Sequence, residues 1–169
     1  MPARVLLVAN RTATAAPLFD AVRRRAVQGA VTFHLVIPAT PTGLHRLVDP
    51  EVAGMEAARR RLGPALEALT AAAGQSVTGH VGDANPLAAV ADAVNLLGFD
   101  EIILSTLPWK VSQWLRVDLP RKVRALGLPV LHVCPTEPGA PEPAWELPAD
   151  ANASRRRDAT GSAASLPVG

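Results

Sequence analysis

The sequence predicts an α/β protein of Rossmann-like kind, an open parallel sheet of five strands with helices on both faces. Three observations carry this. Short uninterrupted apolar runs recur along the chain, as expected of strands covered on both sides. Segments with apolar residues at helical spacing lie between them. Cap and turn residues mark the junctions. Neighbouring parallel strands need a crossover, usually a helix, and right-handed crossovers place helices on both faces of the sheet. With five strands the chain reverses beside the first, giving the order 3-2-1-4-5. The loops after strands one and four then share a cleft at the carboxyl ends, where such sheets bind ligands.

The elements follow in order. Val5–Ala9 is the first strand. After a turn over Asn10–Ala16, Leu18, Ala21, Val22, Arg25 and Ala26 form a helical stripe, and Gly29 supplies a stop. Val31–Ile37 is the second strand, ended by Pro38. Asp49-Pro50-Glu51 reads as a helix start, with a cap, a proline at the first helical position and an early acid. Val52, Met55, Ala58, Leu62, Leu66 and Leu69 keep helical spacing, with a kink or two abutting helices expected at Gly63-Pro64. Ser76–Val81 is the third strand. Asn85-Pro86 repeats the cap-then-proline pattern before a helix that ends at Gly98, and Glu101–Leu104 is the fourth strand. The last helix starts at Ser112 or Asp118 and stops at Gly127, and Leu128–Cys134 closes the sheet.

The composition changes at Pro135. Residues 135–169 are rich in Pro, Ala and Ser without sustained apolar periodicity. Such a segment buries too little to offset its ordering entropy, so the reading is a folded domain at 1–134 and a disordered tail at 135–169. Trp145 and Arg155–Arg157 are its only features that suggest an interaction motif; an isolated aromatic and a solvated charge run explain them more simply.

Bulk properties narrow the function. The 169 residues are 49% hydrophobic, enough for one packed core. The formal net charge is +2, with 14 of the 17 basic and 10 of the 15 acidic residues in 1–134, a balance that suits small anions and gives nucleic acid no support. Arg23–Arg25 and Arg59–Arg61 read as solvated helix faces. The single cysteine, Cys134, excludes a disulfide framework. Neither a targeting segment nor an apolar run of membrane-spanning length is evident, so a cytoplasmic protein without a membrane partner is expected. His34, His45, His80 and His132 show no metal-ligand spacing. No nucleophile elbow, Walker loop, G-x-G-x-x-G turn or HExxH occurs.

Within this order of elements, residues 4–134 resemble the universal stress protein (UspA-like) family. The matching segments are VLLVANRT at Val5–Thr12, HLVIP at His34–Pro38, VGDANP at Val81–Pro86 and PVLHV at Pro129–Val133. The resemblance implies a regulatory, non-catalytic stress-response protein that forms homodimers through the fifth strand, Pro129 to Val133. Members that bind ATP carry G-x2-G-x9-G-[ST] after the fourth strand, because glycines let backbone amides approach the phosphates. This chain has STLPWKVSQWLRVDLP there. Ser105 and Pro108 stand at the first two glycine positions and Asp118 near the third. Pro108 removes an amide donor and Asp118 adds negative charge. Asn10 stands where binders have an aspartate. The usual grip on ATP is therefore broken at several points.

The candidate ligand cleft comprises Asn10, Arg11 and Thr12 after the first strand, Gly82 and Asp83 after the third, and Ser105, Thr106, Lys110, Ser112 and Arg116 after the fourth. Its hydroxyls and cations suit ATP, AMP, another adenine nucleotide or another small anion, with Trp109 or Trp114 available to stack on a ring. The same residues also admit plain readings: Trp as packing or interface anchors, Asn and Thr as turn formers, Gly82-Asp83 as a turn before the Asn85 cap. Three functions remain open. The first is a UspA-like regulator with an altered or empty cleft. The second is a module that binds another protein, with a vestigial cleft. The third is a nucleotide hydrolase using Ser105 or Thr106, for which no general base is evident in the motif.

Overall fold

The computed structural model describes residues 1–41, 50–108, 112–135 and 143–148. Its elements are β1 (Ala3–Val8), α1 (Ala16–Val27), β2 (Val31–Pro38), α2 (Pro50–Ala73), β3 (Val77–Gly82), α3 (Pro86–Leu97), β4 (Glu101–Ser105), α4 (Gln113–Arg116), α5 (Leu119–Arg124), β5 (Val130–Val133) and β6 (Trp145–Glu146). They form one six-stranded sheet in the order β3-β2-β1-β4-β5-β6. The first five strands are parallel in the expected order 3-2-1-4-5.

The sheet has one strand more than the five expected. The addition comes from the tail: Trp145 and Glu146 pair antiparallel with Leu131 and Val130. Two residues are too few to produce a period, so composition could not reveal this strand. The rest of the tail, 136–142 and 149–169, lies outside the described residues, as do Asp49, His45, Trp109 and Lys110.

Alternation along the strands splits the core into two layers. On one face Val5, Leu7, Phe33, Leu35, Ile37, Ile103 and Leu131 pack against Leu18 and Val22 of α1 and Ala58, Ala65 and Leu69 of α2. On the other, Leu6, Val8, Ile102, Leu104 and Val130 meet Ala89, Val90 and Ala93 of α3, Trp114 of α4, and Leu119 and Val123 of α5. The central strands are buried on both faces, which is why they read as unbroken apolar runs.

Helix boundaries follow the caps. Asn85 caps α3 through its side-chain oxygen, which accepts from Leu87 N at 3.0 Å and Ala88 N at 3.3 Å. Gly98 ends the helix at φ 70°. Two expectations change. The helix containing Gly63-Pro64 is one element of 24 residues with Pro64 inside it, rather than two. Its inner face, from Ala58 to Leu69, lies along the sheet across the proline, and this packing outweighs the lost backbone donor. The last helix, by contrast, is two short ones: Ser112 heads α4 and Asp118 precedes α5. Both proposed starts are used because Asp118 turns the chain between them at φ 56°.

A candidate ligand cleft at the sheet reversal

β1 lies between β2 and β4, so the chain ends of β1 and β4 open side by side. Their loops are joined directly: Thr12 Oγ1 donates to Ser105 O at 3.0 Å. Asn10 reaches the opposite way. Its Nδ2 donates to Pro38 O at 2.8 Å, while its Oδ1 accepts from Arg61 Nη1 at 2.7 Å. One amide thus ties the end of β1 to the end of β2 and to α2. Asn10, Thr12, Ser105, Thr106 and Ser112 form the buried polar set of the described residues. A buried polar group without a partner is costly, so most of this set is paired within the protein.

Ser105 is the exception. It is 1% exposed, and its Oγ has no hydrogen-bond partner. Because side chains alternate along a strand, Ser105 shares the α1–α2 side of the sheet with Ile103. Thr106 falls on the other side, where its Oγ1 lies 2.8 Å from His132 Nε2. That contact ties the end of β4 to β5. Burial, and then Arg124, hold His132 below the ordinary imidazole value, with Glu146 opposing them weakly. Which partner donates depends on the tautomer of the ring, since the threonine hydroxyl can give or accept.

The positive charge of the cleft comes partly from a residue the sequence reading assigned to a solvated face. Arg61 leans from α2 onto Asn10, and its guanidinium is held below its ordinary value by burial, then by Arg11 and Arg60. Arg11 itself is exposed. Two guanidinium groups that repel one another beside a cleft make a favourable place for an anion. The sequence held a faint signal for this: Arg61 is one turn from Ala58 and Ala65 on the buried face of α2.

The remaining candidates serve local structure. Gly82 sits so close to α3 that an added Cβ would meet Ala89 Cβ at 2.7 Å, so close packing alone demands the glycine. Asp83 Oδ1 accepts from Asn85 N at 2.7 Å and shapes the turn before the α3 cap. Ser112 Oγ accepts from Leu115 N at 3.2 Å, capping α4. Its own N–H donates to Pro108 O at 2.9 Å. Trp114 is 8% exposed and belongs to the core against α3 and α5, where it cannot stack on a ligand. Arg116 is exposed on α4. Asp118 keeps the left-handed backbone that a glycine would adopt, and its carboxylate pairs with Arg121 at 2.8 Å. Lys110 lies outside the described residues.

Of the other histidines, His34 and His80 are paired within the protein, and His45 lies outside the described residues. His34 Nδ1 is 2.7 Å from Thr78 Oγ1 and its Nε2 is 2.7 Å from His80 Nδ1. Among the described residues no three His, Cys, Asp or Glu side chains gather as a metal site would require. No described helix is long and apolar enough to cross a membrane.

Comparison with solved structures agrees with this fold. The chain is similar to a protein from the universal stress protein family of Burkholderia pseudomallei, at TM-score 0.55 and 18% identity, over 78% of this chain and 95% of that one. It is also similar to a hypothetical protein, PH0823, at TM-score 0.58 and 18% identity, over 81% of this chain and 99% of that one. No family model matches the sequence, and no curated protein matches it. The chain has the UspA-like fold.

Proposed function

We propose that this chain is a non-catalytic, UspA-like regulatory protein whose cleft between β1 and β4 takes a small anion, the phosphate of an adenine nucleotide included, and which self-associates through the β5 edge at Pro129–Val133. The observation that carries the ligand reading is the cleft itself: Arg61 hydrogen-bonded to Asn10, Arg11 near it, and the unpartnered Ser105 hydroxyl buried at the end of β4. Charge and one spare hydroxyl favour a monophosphate or a comparable anion over a triphosphate, which needs a run of backbone amides that Pro108 interrupts. The catalytic reading relied on Ser105 or Thr106, and Ser105 is 1% exposed. Thr106 has a base in reach, His132, but is 2% exposed.

Isothermal titration with AMP, ATP and inorganic phosphate, with and without magnesium, tests the ligand reading. Binding of AMP or phosphate should be independent of magnesium and weaken about tenfold or more in Arg61→Gln, as expected for loss of a charge-assisted contact. Tight, magnesium-dependent ATP binding would overturn the preference for a small anion; absence of any heat with all three would overturn the ligand reading.

A further inference from the structure

The β5 edge is not free. β6 lies on it in antiparallel sense, Glu146 opposite Val130 and Trp145 opposite Leu131. The cover is short, reaching two of the four residues of β5. Its fastening is modest. Arg124 Nη2 meets Glu146 Oε1 at 2.6 Å, with side chains 27% and 52% exposed. Arg124 Nε is buried without a partner, so its guanidinium is only partly satisfied. Trp145 packs on the α1–α2 core layer only in part. Grooves of about 340 and 210 Å³, open to the surface, border it, one reaching Glu101 and Pro129, the other Arg24 and Leu131. Close packing is what normally holds an added strand, and here it is incomplete.

The surface beneath is suited to another strand. An edge with unpaired backbone groups is a template for strand addition, and β6 demonstrates that this edge accepts an antiparallel one. A second β5 meets the same requirement. Val-Leu-His-Val carries no carboxylate, ammonium or guanidinium, and its one titratable ring is held toward the neutral form. Antiparallel self-pairing about a twofold axis therefore sets no like charges opposite one another, and an isologous contact closes after two copies.

We propose that Trp145–Glu146 is a strap that withholds the β5 edge, and that its release lets a second copy of this chain pair there, β5 against β5. This rests on the self-association reading above and adds its control. The strap belongs to the same chain as the edge it covers, so its pairing is intramolecular and competes with that of a second copy. Apparent dimer affinity then scales with the fraction of chains whose strap is open.

Sedimentation equilibrium on the full chain tests this. Glu146→Pro removes the ion pair and puts a residue that sheets disfavour into β6, and Arg124→Glu sets like charges against Glu146. Each should raise the association constant by about tenfold or more, scaling with the open fraction. The exchange Arg124→Glu with Glu146→Arg should return it toward the wild-type value. Circular dichroism and denaturant unfolding monitor the fold; should Glu146→Pro fail to fold, the two exposed-charge variants carry the test. Wild type and every variant remaining monomeric would overturn self-association through β5, and the strap with it. Wild type dimerising as tightly as the variants would overturn the strap alone. Tightening in the single variants with return in the exchange supports it, provided that hydrogen exchange shows new protection at Val130–Val133 in the dimer.

Discussion

Two regions of this sheet, the central reversal and the β5 edge, are built in opposite ways. At the reversal between β1 and β4, side chains are buried and hydrogen bonds cross between elements far apart in sequence: Thr12 to Ser105, Asn10 to Pro38, Arg61 to Asn10. At the β5 edge, two residues of a Pro-rich tail hold on through a short ladder and an exposed ion pair. The first region is tied together in advance, so the proposed ligand would meet a frame that needs little ordering. The second is short and partly exposed, the construction that the proposed exchange of partners would need. A binding site calls for the first kind of construction, a switchable interface for the second.

The sharpest way to break this contrast is by truncation on each side. Leu7→Ala removes a fully buried side chain from the central strand and should destabilise the fold by about 3 kcal/mol in urea unfolding, with little room for relaxation in a layer packed on both sides. Trp145→Ala should cost about 1 kcal/mol, because the indole is already bordered by space. Equal losses at the two positions would mean that the strap is part of the main core.

Next in size is Asn10→Ala. It strips two hydrogen bonds at once and leaves Pro38 O and the Arg61 guanidinium seeking partners, a loss of about 1–3 kcal/mol. An unchanged unfolding midpoint would show that water replaces the amide and that the cleft is looser than its hydrogen bonds indicate.

The smallest expected effect is the response to acid. His132 and His34 are both held below their ordinary value of 6.5, by burial first in each case; Arg124 adds to this for His132, and His80 and Arg4 for His34. The unfolded chain therefore takes up protons that the native state refuses. Stability is complete above 6.5 and declines as pH falls below that value, levelling off only once the native rings titrate. Between about pH 7.5 and about pH 5.5 the unfolding free energy should fall, with a shallower fall in His132→Asn. A midpoint that rises on acidification would contradict the sign.

Parts of the site were legible and parts were not, for identifiable reasons. Asn10, Thr12 and Ser105 could be placed together because strand order alone makes those loops neighbours. Arg61 and His132 were missed as site residues. Arg61 sits in an arginine run that resembles a solvated face, and His132 lies inside a β-run as any core histidine would. Only the closeness of α2 to the end of β1 turns the first toward Asn10, and only the register Leu104↔His132 brings the second to Thr106. Gly82 read as a possible ligand turn, whereas its need for glycine comes from Ala89 across the helix–sheet contact.

By itself, then, the sequence determined the architecture: apolar runs, helical periods and cap residues are local signals, and the crossover rules convert their order into one sheet. What tertiary structure alone decided was where individual polar groups found partners and which residues closed the β5 edge. Those outcomes depend on distances between segments far apart along the chain. A two-residue strand, or one arginine turned inward, leaves no periodic trace in the residues around it.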